Sequence, residues 1–210
     1  MLKNYKSWWT TTKFNANCGL KSQTSMKYLF WLIPFISLGS VSAQDTLSSA
    51  HLFTPTDQGS AISFEIKNFG LNSKGSFSGL KGRIIFDPKN PAGASFDVSI
   101  DAATINTDNE MRDTHLKKEE YFDVANYPRI HFVSTGITPS DKEGHYTITG
   151  KLTIKNTTKE LSWPFIAAPM GSDYIFSGSF KINRKDFGVG GSNTISNSLT
   201  VAVSVLARKQ

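Results

Sequence analysis

From Ile62 onward, apolar and polar residues alternate in short runs. Ile62, Phe64 and Ile66 are interleaved with Ser63, Glu65 and Lys67. A period of two puts one set of side chains on each face of a strand, one face buried and the other wet. Residues 79–86 predict a second strand, whose glycines permit bends or bulges. Asp87-Pro88-Lys89-Asn90-Pro91 ends it, because proline lacks a ladder donor and Asp and Asn favour turns. Phe96, Val98 and Ile100 then alternate with Asp97, Ser99 and Asp101. Residues 129–135 and 144–154 predict two more strands, with Tyr146, Ile148, Leu152 and Ile154 keeping one face across Gly150. Residues 156–159 suit a hairpin tip. Leu161, Trp163 and Phe165 continue the series, followed by Tyr174, Phe176, Phe180 and Ile182, then by Val201, Val203 and Val205. About eight strands joined by short turn-rich links predict an all-β sandwich or barrel. No helix alternates with them, which argues against a parallel α/β sheet.

One helix interrupts the strands, over residues 107–118. Thr107-Asp108-Asn109-Glu110 matches a capping box, in which the Thr hydroxyl and the Glu carboxylate each satisfy the other's backbone N–H. Lys117 and Lys118 suit the negative end of the helix dipole, and Asp113 and Lys117 are spaced for a surface pair. Residues 121–128 predict a second short turn, stopped by Pro128.

The N-terminal end follows a different pattern. Lys27 precedes an apolar run over residues 28–38, and Gly39-Ser40-Val41-Ser42-Ala43 supplies the small residues of a cleavage site. A membrane-spanning helix needs roughly 20 apolar residues, and this run is shorter. Residues 1–43 are therefore expected to be a leader with a cleaved signal peptide. Met26 is the expected start, and a long basic n-region is the alternative. Residues 44–210 form the expected domain, periplasmic or extracellular, with no stable membrane span after cleavage.

This division changes the charge picture. The chain holds 23 Lys and Arg against 17 Asp and Glu, but Lys3, Lys6, Lys13, Lys21 and Lys27 fall in the leader with no acid. The remainder has 18 basic against 17 acidic residues, a net of +1. No basic stripe is left to argue for nucleic acid. Cys18, the one cysteine, also lies in the leader, so the domain has no disulfide or thiolate metal site.

The interrupting segment carries the most specific signal. Arg112-Asp113-Thr114-His115-Leu116, followed by Tyr121-Phe122-Asp123-Val124-Ala125-Asn126-Tyr127-Pro128-Arg129-Ile130-His131-Phe132, resembles the central signature of the YceI-like family. Phe64-Glu65-Ile66-Lys67-Asn68-Phe69-Gly70, Ile148-Thr149-Gly150-Lys151-Leu152-Thr153-Ile154 and Ile182-Asn183-Arg184-Lys185-Asp186-Phe187-Gly188 resemble other segments of that family in order. The resemblance implies an eight-stranded antiparallel lipocalin-like barrel with a short helical insert. It also implies a lipid carrier whose apolar pore takes a polyisoprenoid or another long-chain amphiphile, prenyl compounds and quinones included. Two departures stand out. Lys118-Glu119-Glu120 replaces a small or Ser-containing cap, and Tyr121 stands where Phe is frequent.

On this basis the candidate ligand-binding residues are the inward Phe64, Ile66, Phe86, Phe96, Val98, Phe122, Phe132, Tyr146, Ile148, Trp163, Phe165, Phe176 and Phe180. Arg112 and His115, three apart on one helix face, are candidates for the polar head, as are Asn183 and Arg184. Each has a bland counterpart: ordinary core for the apolar set, structural pairing for the polar set. His51, His115, His131 and His145 show no metal-ligand spacing, no cofactor is called for, and no nucleophile elbow is present. Two other functions remain open at this point. One is an enzyme with His115 as general base and Arg112 as partner; the other is an interaction module docking through Tyr121, Phe122 and Tyr127. A homodimer also stays open.

Overall fold

In the computed structural model, which describes residues 51–191 and 194–210, the alternating stretches become eight strands. They are β1 (His51–Asn68), β2 (Leu71–Phe86), β3 (Ser95–Asn106), β4 (Arg129–Pro139), β5 (His145–Ile154), β6 (Thr157–Met170), β7 (Asp173–Asn183) and β8 (Ile195–Lys209). Each pairs antiparallel with the next, and β8 pairs back onto β1, so the sheet closes into a barrel. Closure removes the edge strands that an open sheet would expose. The expected leader, residues 1–43 with Met26 and Cys18, lies outside the described residues.

Several strands are longer than their alternation. β1 begins at His51, and its first half is masked in the sequence by the polar stretch Thr56-Asp57-Gln58-Gly59-Ser60. There the register with β2 shifts between Phe53 and Ile62, and the register with β8 shifts between Thr56 and Ala61. Side chains fill the broken ladder. The Asp57 carboxylate accepts from the N–H groups of Gly79 and Leu80, at 3.1 and 2.8 Å, and the Ser60 hydroxyl accepts from Leu206 N–H at 2.8 Å. A bulge with its donors satisfied bends the strand without stranding backbone groups. The β5–β6 tip also differs from expectation. Ile154 pairs with Thr157, so the turn is Lys155-Asn156, and residues 157–159 already belong to β6.

The β2–β3, β4–β5 and β6–β7 links lie at one end of the barrel. That end is filled by aromatic rings. Phe86 sits 5.4 Å from Tyr146, 5.3 Å from Tyr174 and 5.2 Å from Phe176, and Phe96 is 5.0 Å from Phe176. Most of these contacts are edge-to-face, the arrangement that the ring quadrupole favours. Phe53 and Phe86 are completely enclosed.

The opposite end carries the β1–β2 turn, the insert at residues 107–128 and the β7–β8 link. The one α-helix among the described residues, α1 (Glu110–Leu116), is shorter than predicted and starts later. Its N-cap is Asn109, whose side chain accepts from Arg112 N–H at 2.9 Å, so the Thr107 capping box does not form. Asp108 adopts φ 57°, which turns the chain between Thr107 and the helix. Thr107 is instead clamped from the far side. Its N–H and hydroxyl both donate to the Asp113 carboxylate, at 2.9 and 2.5 Å. The segment Lys118-Glu119-Glu120 ties the insert down: Lys155 Nζ donates to the Glu119 carbonyl at 2.8 Å, and Gly190 N–H donates to the Glu120 carbonyl at 2.9 Å.

Candidate functional site

Between the aromatic floor and the insert the barrel is hollow. A cavity of about 270 Å³ is lined by side chains from all eight strands. An eight-stranded barrel is just wide enough either to be filled by its own side chains or to hold one small ligand. Two glycines help keep this one open. A Cβ at Gly75 would stand 2.4 Å from Phe64 Cζ, and a Cβ at Gly150 would stand 2.4 Å from Phe132 Cζ. Both rings therefore lie back over a gap in the wall instead of projecting toward the axis.

The apolar candidates divide by position. Phe96, Phe165 and Phe176 form the cavity floor, and Phe64, Ile66, Val98, Phe132, Ile148, Trp163 and Phe180 form its wall. Trp163 stacks on Phe180 at 4.3 Å and tilts against Phe132 at 4.8 Å. Phe122 reaches the cavity from the insert and packs edge-on to Phe77 at 5.5 Å. Phe86 and Tyr146 lie outside the lining, within the aromatic plug beneath the floor. Burial, reinforced by the negative charges that Tyr174, Glu143 and Asp87 can carry, pushes the Tyr146 phenol above its usual range.

The polar candidates separate as well. Arg112 lines the cavity, but its Nε and Nη2 donate to the hydroxyl and carbonyl of Thr107, at 2.7 and 2.6 Å. Arg184 also lines the cavity and is buried. Its guanidinium donates to the carbonyls of Ser196, Val189, Gly190 and Ile195 at 2.8–3.1 Å, which pins the β7–β8 link. His115 faces solvent, 4.0 Å from the Glu120 carboxylate and edge-on to Tyr121. It is not part of the lining, so the structure does not bring it to the cavity beside Arg112. Asn183 is exposed and caps a short 3-10 turn, Arg184–Phe187, by accepting from Lys185 N–H at 3.0 Å. Tyr121 and Phe122 pack against the core, which removes them from a free docking patch. Among the described residues, no three His, Cys, Asp or Glu side chains stand together as a metal site.

Sequence reasoning missed part of the lining. Val201, Val203 and Val205 are on it, and their alternation was a sufficient signal. Asn68 and Ser73 are on it too, at the rim beside the β1–β2 turn. Only their strand parity marks them, since Asn68 continues the inward series Ile62, Phe64, Ile66, and Ser73 pairs with Ile66.

Known proteins are similar to this chain in sequence and in fold. A UPF0312 protein of Pectobacterium carotovorum is 34% identical over 119 residues, which span 56% of this chain and 61% of the relative. A UPF0312 protein of Photorhabdus laumondii is 32% identical over 155 residues, 70% of this chain and 79% of the relative. The crystal structure of Burkholderia cenocepacia BcnA aligns with TM-score 0.69 at 26% identity, covering 72% of this chain and 98% of that one. A polyisoprenoid binding domain from Saccharophagus degradans aligns with TM-score 0.62 at 12% identity, covering 77% of this chain and 99% of that domain, a likeness of fold alone. The YceI-like domain family matches residues 53–207, nearly the whole barrel from Phe53 to Ala207. The chain belongs to the YceI-like domain family.

Proposed function

We propose that this protein is an exported carrier, periplasmic or extracellular, that holds one long-chain lipid inside its barrel. The observation that carries this reading is the cavity: hollow, walled by apolar side chains from every strand and stoppered at one end by aromatic rings. Ligand pockets are concave and mostly apolar with a few placed polar groups, and this one fits that description. Each buried methylene of a chain contributes about 0.8 kcal/mol, from which ordering and association costs subtract. The Saccharophagus degradans domain of the same fold is called polyisoprenoid binding, which supports an isoprenoid or similarly long amphiphile as the ligand class here. Binding without turnover is the better-supported mode, because an acid–base pair of Arg112 and His115 is not assembled at the cavity. Native mass spectrometry of protein purified from its own envelope should show a co-purifying lipid. A ligand-free barrel that also ignores added prenyl and acyl compounds would overturn the proposal.

A further inference from the structure

The large apolar side chains left most open to water gather at one end of the barrel. Among the described residues Phe69, Leu71 and Met111 are 74–83% exposed, and no other exposed large hydrophobic passes 45%. Phe69 and Leu71 form the β1–β2 turn. Met111 lies in the first turn of α1, in the insert whose Thr107 methyl stands beside Gly75 of the same hairpin. Turn chemistry does not call for Phe69. Asn68 pairs with Leu71, which leaves Phe69 and Gly70 as the two central residues, at φ 51° and 79°. Such a turn favours Asn, Asp or Gly at its first central position, and a bulky side chain there is an outlier. Folding alone gives no reason for this ring. The same end is the one left for a ligand to pass. The aromatic plug closes the other, and the cavity lining runs up to Asn68 and Ser73 at the base of the turn.

We infer that this end docks on a phospholipid bilayer, with Phe69, Leu71 and Met111 entering the acyl region and the cavity mouth facing the membrane. Docking of this kind rests on the carrier reading and adds where the carrier takes up and gives up its ligand. Area favours a bilayer over a protein. Even at the about 150–250 Å² that a large aromatic buries, three side chains fall short of the about 800 Å² per partner of a standard protein interface. Hydrophobic burial is non-directional, so a fluid acyl phase takes separate apolar points without a complementary surface. Charge says which force holds the contact. Lys67 and Lys74 flank the turn, but Glu65 stands 3.7 Å from Lys74, and Asp108 and Glu110 precede Met111. No surplus of cations draws this end to anionic head groups, so apolar burial carries it.

Transfer of a fluorescent lipid tests this. Protein purified from its own envelope is delipidated, loaded with anthroyloxy-labelled stearic acid and mixed with phosphatidylcholine vesicles that carry a quencher. Transfer through contact should quicken in proportion to vesicle concentration. Phe69→Asn combined with Leu71→Thr suits the turn and the strand, so this variant should fold and load the probe as the wild type does. It should transfer the probe at least about tenfold more slowly, the scale set by withdrawing two apolar side chains from burial. Added phosphatidylglycerol or salt should change the rate by less than about twofold, because screening acts on charge. A rate independent of vesicle concentration marks release into water; it overturns the inference and leaves the carrier standing. A variant that transfers as fast as wild type does the same, as does a rate that salt abolishes. Transfer only to vesicles that hold envelope proteins shows a protein partner and also overturns it. Failure to load the probe overturns the carrier reading and this inference together.

Discussion

Single side chains in this barrel are set by what surrounds them more than by their type. Arg112 and Arg184 are both cations on the cavity, yet both guanidinium groups are engaged by backbone carbonyls or a Thr hydroxyl. A buried charge needs such partners, so these side chains fix the cap of the barrel whatever the ligand. Tyr146 shows the cost of burial for an ionisable group. Its phenol titrates above the usual value of about 10, because the plug disfavours the phenolate and nearby negative charges add to that. The unfolded chain loses this proton first. The native state therefore holds more protons in the window above about pH 10, and stability falls as pH rises through it. Below that window the contribution is fully present. Urea unfolding midpoints should drop as pH rises above about 10, and Tyr146→Phe should flatten part of that drop. An identical pH slope in the variant would show that the phenol does not couple to folding.

At the scale of elements, the wall depends on where glycine sits. Gly150 on β5 is buried, and a Cβ there would stand 2.4 Å from Phe132 Cζ and 2.5 Å from the Val133 carbonyl. Backbone cannot yield as a flexible side chain does, so Gly150→Ala forces both the ring and β4 to shift. Overpacking of this kind costs about 1–3 kcal/mol. Chemical denaturation should show that loss, and the displaced ring should also weaken binding of long chains. A variant as stable as wild type would mean that Phe132 is not wedged there. The same elements mark the limit of what the sequence reveals. Alternation identified the strands around Phe96, Ile148, Phe176 and Val203, because their inward faces must be apolar over several residues. It missed the first half of β1, where Asp57 and Ser60 replace ladder partners and so must be polar. It placed the helix start at Thr107, because nothing in Thr107-Asp108-Asn109-Glu110 discloses the left-handed Asp108 that moves the cap to Asn109.

The hollow belongs to the whole molecule, and alternation could not have disclosed it. An inward row of Phe, Ile and Val reads the same whether the rows meet or stand apart; here Gly75 and Gly150 let two rings fold back, and closure of β8 on β1 sets the diameter. Phe64 pairs with Val201 and Ile62 with Val203, so the cavity exists only when residues far apart in sequence have met. The unfolded chain has no such space, and a cavity ligand binds the native state alone. Mass action then raises stability by about 2.7 kcal/mol at a hundredfold excess over Kd. For a domain of this size each kcal/mol moves Tm by about 2–4 °C, so a saturating prenyl alcohol should raise Tm by roughly 5–10 °C. The rise should continue with the logarithm of ligand concentration, because each further tenfold adds about 1.4 kcal/mol. Gly150→Ala should lower the ligand-free Tm by straining the wall and, by narrowing the cavity and raising Kd, should shift the ligand series to higher concentration with the same gain per tenfold above Kd. Thermal melts over a concentration series separate the two effects, and a ligand-induced rise equal in wild type and variant at every concentration would show that the ligand binds somewhere other than the barrel interior.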